Sequence, residues 1–267
     1  MGNTTSQYPA KGQQTVRRPS PRKGEDRGKK SAGRGLFRRA SFVGAGYSSM
    51  SEGKITFHSQ IGQDRQVLEH FRWKRDGFFV ELGASDGVKL SNTLTMERDF
   101  GWQGICIEPL FNEFMRLLGN RHCKCVYALV DEFSGQDKTL ASIDGASMLS
   151  GIRSSLQPSV KAYAYGTHVL RTHTLTDVLQ DANAPPLMDF LSLDTEGNEP
   201  GILRGLDFKR FNFRFICVEH NYREENRKEI RRILEGSGYR FHSENRFDDN
   251  YVLALAEMDD YINDLYQ

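Results

Sequence analysis

The stretch "GFFVELGASDGVKLSNT", Gly77–Thr93, decides the fold. Its first six residues are an apolar run ended by an acid, Glu81, one residue before the run closes. That is how a strand buried on both faces reads. A glycine turn follows at once, with Gly83, Ala84 and Gly87. Glycines there let a backbone bend sharply and let a ligand approach it closely. The question is which ligand accepts a carboxylate at the strand tip and bare backbone immediately after it.

Working outward, the same alternation repeats. "KLSNTLTMERDF" reads as a helix over 89–99, with Leu90, Leu94 and Met96 on its inner face. "GICIE" (104–108) is a second strand. "LFNEFMRLLGN" (110–120) is a helix, with Phe111, Phe114, Met115 and Leu118 at helical spacing. "CKCVYALV" (123–130) is a third strand. Residues 131–172, rich in Ser and Gly, are expected to form a hairpin or a loose lid. A helix (174–182), a fourth strand (188–194), a short helix (198–206), a fifth strand (213–220), an amphipathic helix (223–238) and a last strand pair complete the pattern. Alternating strands and helices predict an α/β, Rossmann-like, doubly wound and mostly parallel sheet. In such sheets ligands lie beyond the carboxyl ends of the strands. An acid stands at each of the first five strand ends: Glu81, Glu108, Asp131, Asp194 with Glu196, and Glu219.

Two ligands suit such a crevice, a dinucleotide and S-adenosylmethionine (SAM). Here the spacing is Glu81-x-Gly83-x-x-x-Gly87, which is not the GxGxxG of NAD folds. A carboxylate before the first glycine would repel a pyrophosphate. SAM has no phosphate, and its ammonium and sulfonium groups favour nearby carboxylates. Glu108 ends the second strand, where a carboxylate can accept both ribose hydroxyls; alone it would serve NAD equally well. Asp131 is positioned to face an adenine amino group, and it also reads as an ordinary loop acid.

With those residues in view, a family likeness emerges. "HSQIGQD" (58–64), "GFFVELGASDGVKLSNT" (77–93), "ERDFGWQGICIEP" (97–109), "NR" (120–121), "DFLSLDTEGNEPGILRGLDF" (189–208) and "VEHN" (218–221) resemble the FkbM-type methyltransferases. The likeness spans roughly residues 55–257, in the family's order and spacing. It implies a class I methyltransferase fold and a SAM-dependent O-methyltransferase acting on a hydroxyl of a sugar, glycan or similar small acceptor. It also implies that Asp86, Ser91 and Asn92 help line the SAM pocket. Some relatives serve as membrane-trafficking factors, so a non-catalytic binding module with the same fold is the alternative.

Methyl transfer to oxygen requires the hydroxyl to be held in line with the methyl group and its proton removed. The expected bases are His220, Asp194 and Glu196. His220 has a suitable intrinsic pKa and ends the fifth strand. Asp194 and Glu196 are two residues apart and point the same way on extended backbone. They can orient His220, bind the acceptor or, with His220, hold a divalent cation. The plainer readings are a core histidine and an acid capping the following helix.

Composition bounds the rest. The net charge of +1 hides an asymmetry. Residues 1–42 hold 11 Lys or Arg against Glu25 and Asp26, and the remainder holds 25 basic and 33 acidic residues, net −8. An acidic globule argues against a large nucleic-acid groove. Residues 1–50, poor in large apolar groups, read as a disordered basic tail, with the methyltransferase domain over 54–267. "MGNTTS" would expose Gly2 for N-myristoylation, and the basic stretch behind it would hold an anionic membrane. "RRPSP" and "RRAS" put Ser20 and Ser41 beside arginines, as basophilic kinases prefer. The tail also reads as a transit peptide, a solvated tail or a non-specific nucleic-acid contact. Cys106, Cys123, Cys125 and Cys217 read as buried reduced thiols, not a zinc or redox pair. No apolar run approaches the ~18 residues of a membrane span, and the start does not read as a secretory signal. These features together predict a cytoplasmic protein, peripheral on the cytosolic face of a membrane.

Overall fold

The computed structural model describes residues 55–143 and 149–254. Gly2, Ser20 and Ser41 lie outside the described residues. In chain order the elements are α1 Gln63–His70, β1 Phe78–Leu82, α2 Leu94–Phe100, β2 Gln103–Ile107, α3 Phe111–Asn120, β3 Lys124–Val126 and β4 Leu129–Val130. There follow β5 Asp137–Ile143, β6 Gly151–Ile152, α4 Pro158–Lys161, β7 Ala164–His173, α5 Leu175–Asp181 and β8 Leu187–Leu193. The last elements are α6 Glu199–Arg204, β9 Asn212–Glu219, α7 Glu224–Gly236, β10 Tyr239–Asn245 and β11 Asp248–Leu253.

Seven strands form one sheet in the order β10-β11-β9-β8-β1-β2-β3. β1 pairs in parallel with β2 and β8, β8 with β9, and β2 with β3. β11 is inserted antiparallel beside β9 and pairs antiparallel with β10. This is the Rossmann-like, mostly parallel sheet that the alternating pattern predicts.

The period of two along each strand sends alternate side chains into two cores. Val80, Leu82, Leu191, Leu193, Ile216 and Val218 pack beneath α5, α6 and α7. Phe79, Cys106, Phe190, Phe215 and Cys217 pack beneath α1, α2 and α3. Parity therefore fixes which residue at each strand tip faces which layer, and the site depends on that.

Three expectations need correction. The third strand breaks at Tyr127 and Ala128. β3 stays in the large sheet, and β4 joins a second sheet of order β4-β7-β5-β6. Of the two alternatives for the stretch after Asp131, a hairpin or a loose lid, the antiparallel hairpin holds, as part of that second sheet. The helix after the glycine turn starts only at Leu94, because Leu90 has a left-handed backbone (φ 60) and bridges to Ser59 instead. On α3 the buried face is Phe114 and Leu117; Phe111 and Met115 are 60% and 51% exposed. The polar helix α1 is absent from the sequence reading, since "QDRQVLEH" offers only Val67 and Leu68 to the core.

Candidate active site

Beyond the carboxyl ends of β1, β2, β8 and β9 lies a cavity of about 270 Å³. Glu81, Gly83, Ala84, Ser91, Asn92 and Glu108 line it, as do Asp194, Glu196 and Glu219. Leu140 and Ile152 of the second sheet form a further wall.

The glycine turn is held tightly. Gly83 and Ala84 donate to the Ile107 carbonyl at 3.1 and 3.2 Å. Gly83 has φ +76, and a Cβ there would fall 1.9 Å from the Asp194 carbonyl oxygen. Only glycine fits a left-handed position pressed against backbone.

Glu81 anchors the other end of the loop. It accepts from Ser91 Oγ (3.0 and 3.1 Å), Asn92 N–H (2.7 Å), Thr93 Oγ1 (2.6 Å) and Arg121 Nη1 (3.2 Å). Those bonds use the roughly four lone pairs of a carboxylate. Glu81 thus shapes the loop, although it was expected as a direct ligand contact. Arg121, at the end of α3, is the residue that the sequence reading missed. Its side chain is fully buried, with Glu97 at 2.6 Å and Glu81 at 3.2 Å, and it donates to the Gly87 carbonyl, Ser91 Oγ and Thr93 Oγ1. Burial pushes the Glu97 carboxyl up, but the guanidinium and the His122 N–H outweigh it and hold Glu97 below the usual range.

Glu108 is different. One oxygen accepts from Ser85 N–H (2.8 Å) and the other from Leu110 N–H (2.7 Å), which leaves lone pairs on both for a ligand. Burial raises its pKa to about 7 against the pull of those two donors. Asn92 donates to Ser192 Oγ (2.9 Å), and its Oδ1 has no hydrogen-bond partner among the described residues.

Three expected cofactor residues do not line the cavity. Asp86 accepts from Val88 and Lys89 N–H within its own turn. Gly87 (φ +78) packs on Leu117 and Arg121. Asp131 pairs with Lys138 (3.0 Å) and Asn198 (3.1 Å), because the break after β3 draws it into the second sheet. Burial raises its pKa, and those partners with the Glu132 N–H more than reverse the shift.

In the same cavity, Asp194, Glu196 and Glu219 bring one oxygen each within 4.8 Å of one another. A hard divalent cation takes such oxygen donors. Burial is the main cause that raises all three pKa values. The charges of Asp194 and Glu199 add to it at Glu196 and Glu219. At Asp194 those of Glu199, Asp248 and Glu81 add to it against a hydrogen bond with Glu219. Glu196 reaches about 8. Asn221 donates to Glu219 (2.7 Å) and to Glu196 (3.4 Å). Buried Glu199 gathers Thr195 N–H, Thr195 Oγ1 and Gly197 N–H onto one oxygen, which fixes the turn carrying Glu196. Glu196 itself is left-handed, with φ 60. Such strain at a non-glycine residue costs about 1–3 kcal/mol and clusters at functional sites.

His220 is not part of this group, contrary to expectation. It falls on the other face of β9 from Glu219, by strand parity. It is buried, its Nδ1 accepts from Tyr222 N–H (3.0 Å), and its Nε2 is 3.8 Å from Asp249. Burial lowers its pKa. The carboxylate cluster takes Glu219 where His220 was expected. His220→Asn is expected to leave kcat within about threefold of the parent while lowering stability by about 1–3 kcal/mol, the range for a buried polar group disturbed. A rate assay beside a urea melt checks this, and a thousandfold fall in kcat with unchanged stability would return His220 to the chemistry.

Several solved structures are similar to this chain at low identity. A precorrin-6y C5,15-methyltransferase from Geobacter metallireducens is 11% identical over 71% of this chain and 87% of its own, with a TM-score of 0.42. A SAM-dependent methyltransferase from Aquifex aeolicus is 13% identical, over 71% and 88%, with a TM-score of 0.36. An FkbM methyltransferase from Methylobacillus flagellatus is 14% identical over 66% of this chain, with a TM-score of 0.41, and only 43% of that longer protein is spanned. No curated protein matches the chain. The profile of the methyltransferase FkbM domain matches residues 81–241, more than half of the 267. From the first strand tip to the last strand pair, the chain therefore belongs to the FkbM methyltransferase family.

Proposed function

We propose that the protein is a SAM-dependent O-methyltransferase acting on a hydroxyl of a sugar, glycan or similar small acceptor. The observation that carries this is one cavity lined by two chemically distinct sets of residues. Glycine backbone and the half-free carboxylate of Glu108 suit a ribose diol next to a cationic, phosphate-free ligand. Asp194, Glu196 and Glu219 would then receive the acceptor. SAM, when bound, supplies an activated methyl group. The chain's own residues then have three tasks. Glu108 accepts from the ribose hydroxyls. The carboxylates accept from the acceptor's hydroxyls and orient it. Glu196 takes the proton of the reacting hydroxyl.

A carboxylate with a pKa near 8 is a competent general base around neutral pH. The base works ionised. The rate at limiting acceptor is therefore expected to rise with pH up to about 8 and level off above. Glu196→Gln is expected to lower kcat by about 10²–10⁴-fold with SAM affinity nearly unchanged. Transfer of a labelled methyl group to a panel of glycans and small polyols, followed across pH, tests the proposal. Binding of SAM without transfer to any hydroxylated acceptor would overturn it in favour of a non-catalytic module, and transfer with a flat pH profile would remove Glu196 as the base. A second reading of the carboxylates, a divalent cation that acidifies the hydroxyl, rests on their mutual approach within 4.8 Å. Loss of activity on chelation, restored by magnesium or manganese, selects it.

The proposal extends to location. Acylated Gly2 and the basic tail would hold the enzyme on the cytosolic face of an anionic membrane. Mass spectrometry of the native N-terminus decides whether Gly2 carries the acyl chain.

A further inference from the structure

We propose that Lys89 is the carboxylate-binding residue of the cavity, and that it takes the carboxylate on the methionine arm of SAM. The proposal rests on the reading of SAM as the methyl donor, and it deepens that reading by one residue.

SAM carries two cationic groups, an ammonium and a sulfonium, and one anion, its carboxylate. The cavity is well supplied for the cations. Glu81, Glu108, Asp194, Glu196 and Glu219 all line it. Arg121 matches Glu81, but the other four form no ion pair among the described residues. A carboxylate entering the same space is repelled by those acids and needs a donor of its own. Backbone offers little. Turns that receive anions do so on successive free N–H groups, and here most of those groups are spent. Gly83 and Ala84 donate to the Ile107 carbonyl, Ser85 to Glu108 and Gly87 to the Ala84 carbonyl. Val88 and Lys89 donate to Asp86, Ser91 to the Val88 carbonyl and Asn92 to Glu81. The anion is left to a side chain.

Among the described residues that line the cavity, Lys89 is the single cation. It is exposed and makes no ion pair among the described residues, so its ammonium is not committed elsewhere. Its root is fixed. Asp86 Oδ1 accepts from the Val88 and Lys89 N–H groups at 2.9 Å each. Leu90, next in the chain, is left-handed (φ 60) and bridges to Ser59. From that root the four-carbon stem gives a compact ammonium wide reach. Gln60, beside the bridge, also lines the cavity, and its amide can add a second donor. The loop selects the source of the carboxylate. Ser85 holds Glu108, the residue assigned to the ribose, and Lys89 follows on the same turn. One extended ligand can therefore run from Glu108 to Lys89. An acidic acceptor would instead bring its charge against Asp194, Glu196 and Glu219, with no cation of its own to offset them.

The test is titration calorimetry on the full chain with SAM and with decarboxylated SAM, which keeps the amine and the sulfonium and lacks only the carboxylate. Lys89→Met is expected to weaken SAM about tenfold, the lower end for a hydrogen bond to a charged group, and to leave decarboxylated SAM within about twofold of the parent. Lys89→Arg should restore most of the SAM affinity. The side chain is exposed, so all three proteins should melt together. Equal losses for the two donors in Lys89→Met would overturn the proposal, because the lysine would then be acting on the loop rather than on the carboxylate. Unchanged SAM affinity in Lys89→Met would overturn it as well. If glucuronate, titrated into the SAM-loaded proteins, then binds the parent and not the variant, the lysine belongs to an acidic acceptor. A parent that binds neither donor would overturn the SAM reading itself, and this proposal with it. A difference between the donors that appears only in the parent is the result that supports both.

Discussion

Gly83→Ala is expected to reduce SAM affinity by at least about a hundredfold, a penalty of roughly 3 kcal/mol. Two effects combine. The backbone is at φ +76, where a Cβ costs about 1–2 kcal/mol. That Cβ would also fall 1.9 Å from the Asp194 carbonyl oxygen, and backbone cannot swing aside as a side chain can. The loop must open, and it separates from the strand tip that carries the carboxylates. Gly119→Ala on α3 is the matched control. The same methyl group meets nothing within 4 Å there, and in a helix it should stabilise by about 0.5–1 kcal/mol. Titration calorimetry and thermal melts of the pair check both signs. Unchanged SAM affinity in Gly83→Ala would remove this turn from the cofactor site.

Arg121→Met is expected to destabilise the fold by about 3–5 kcal/mol, because it leaves Glu81 and Glu97 buried without a counter-charge. At this chain length that corresponds to a drop in Tm of about 10 °C. Arg121→Lys keeps the charge and loses the planar fork that reaches Thr93, Ser91 and the Gly87 carbonyl together. It should fall between parent and Met in stability, and it should weaken SAM binding through the loop. Adding Glu97→Gln to Arg121→Met should recover part of the loss. A chemical-denaturation series on these four proteins and on Glu97→Gln alone measures the coupling, and additive losses would mean that the ion network carries no shared energy.

The order of strands and helices is legible in the sequence because the central strands are buried on both faces and read as unbroken apolar runs. So is the convergence of Glu81 and Glu108 on one cavity, since both close strands that pair side by side. What escapes is parity and reach. His220 and Glu219 are neighbours in sequence but face opposite layers, and no composition signal says which faces the ligand. Asp131 follows an apolar run that breaks at Tyr127 and Ala128, so it lands in a different sheet. Arg121 is a lone arginine after a helix, and only the fold brings it beneath a loop 34 residues upstream. On α3, hydrophobic residues occupy more positions than the core can cover, and periodicity alone favours the wrong stripe. Helix α1 carries too few apolar residues to announce itself.

The break at Tyr127 and Ala128 has an evolutionary corollary. Everything from β4 to β7 is one contiguous excursion that leaves the large sheet and returns to it at α5, without contributing a strand to the order β10-β11-β9-β8-β1-β2-β3. Its rim, Leu140 and Ile152, still forms part of the chamber wall. Such an excursion is an exchangeable cassette. Insertions, deletions or grafts within it can remodel the chamber for a different guest while the glycine bend and its buried arginine stay untouched, so selectivity can drift in one segment and methyl-donor handling can stand still in another.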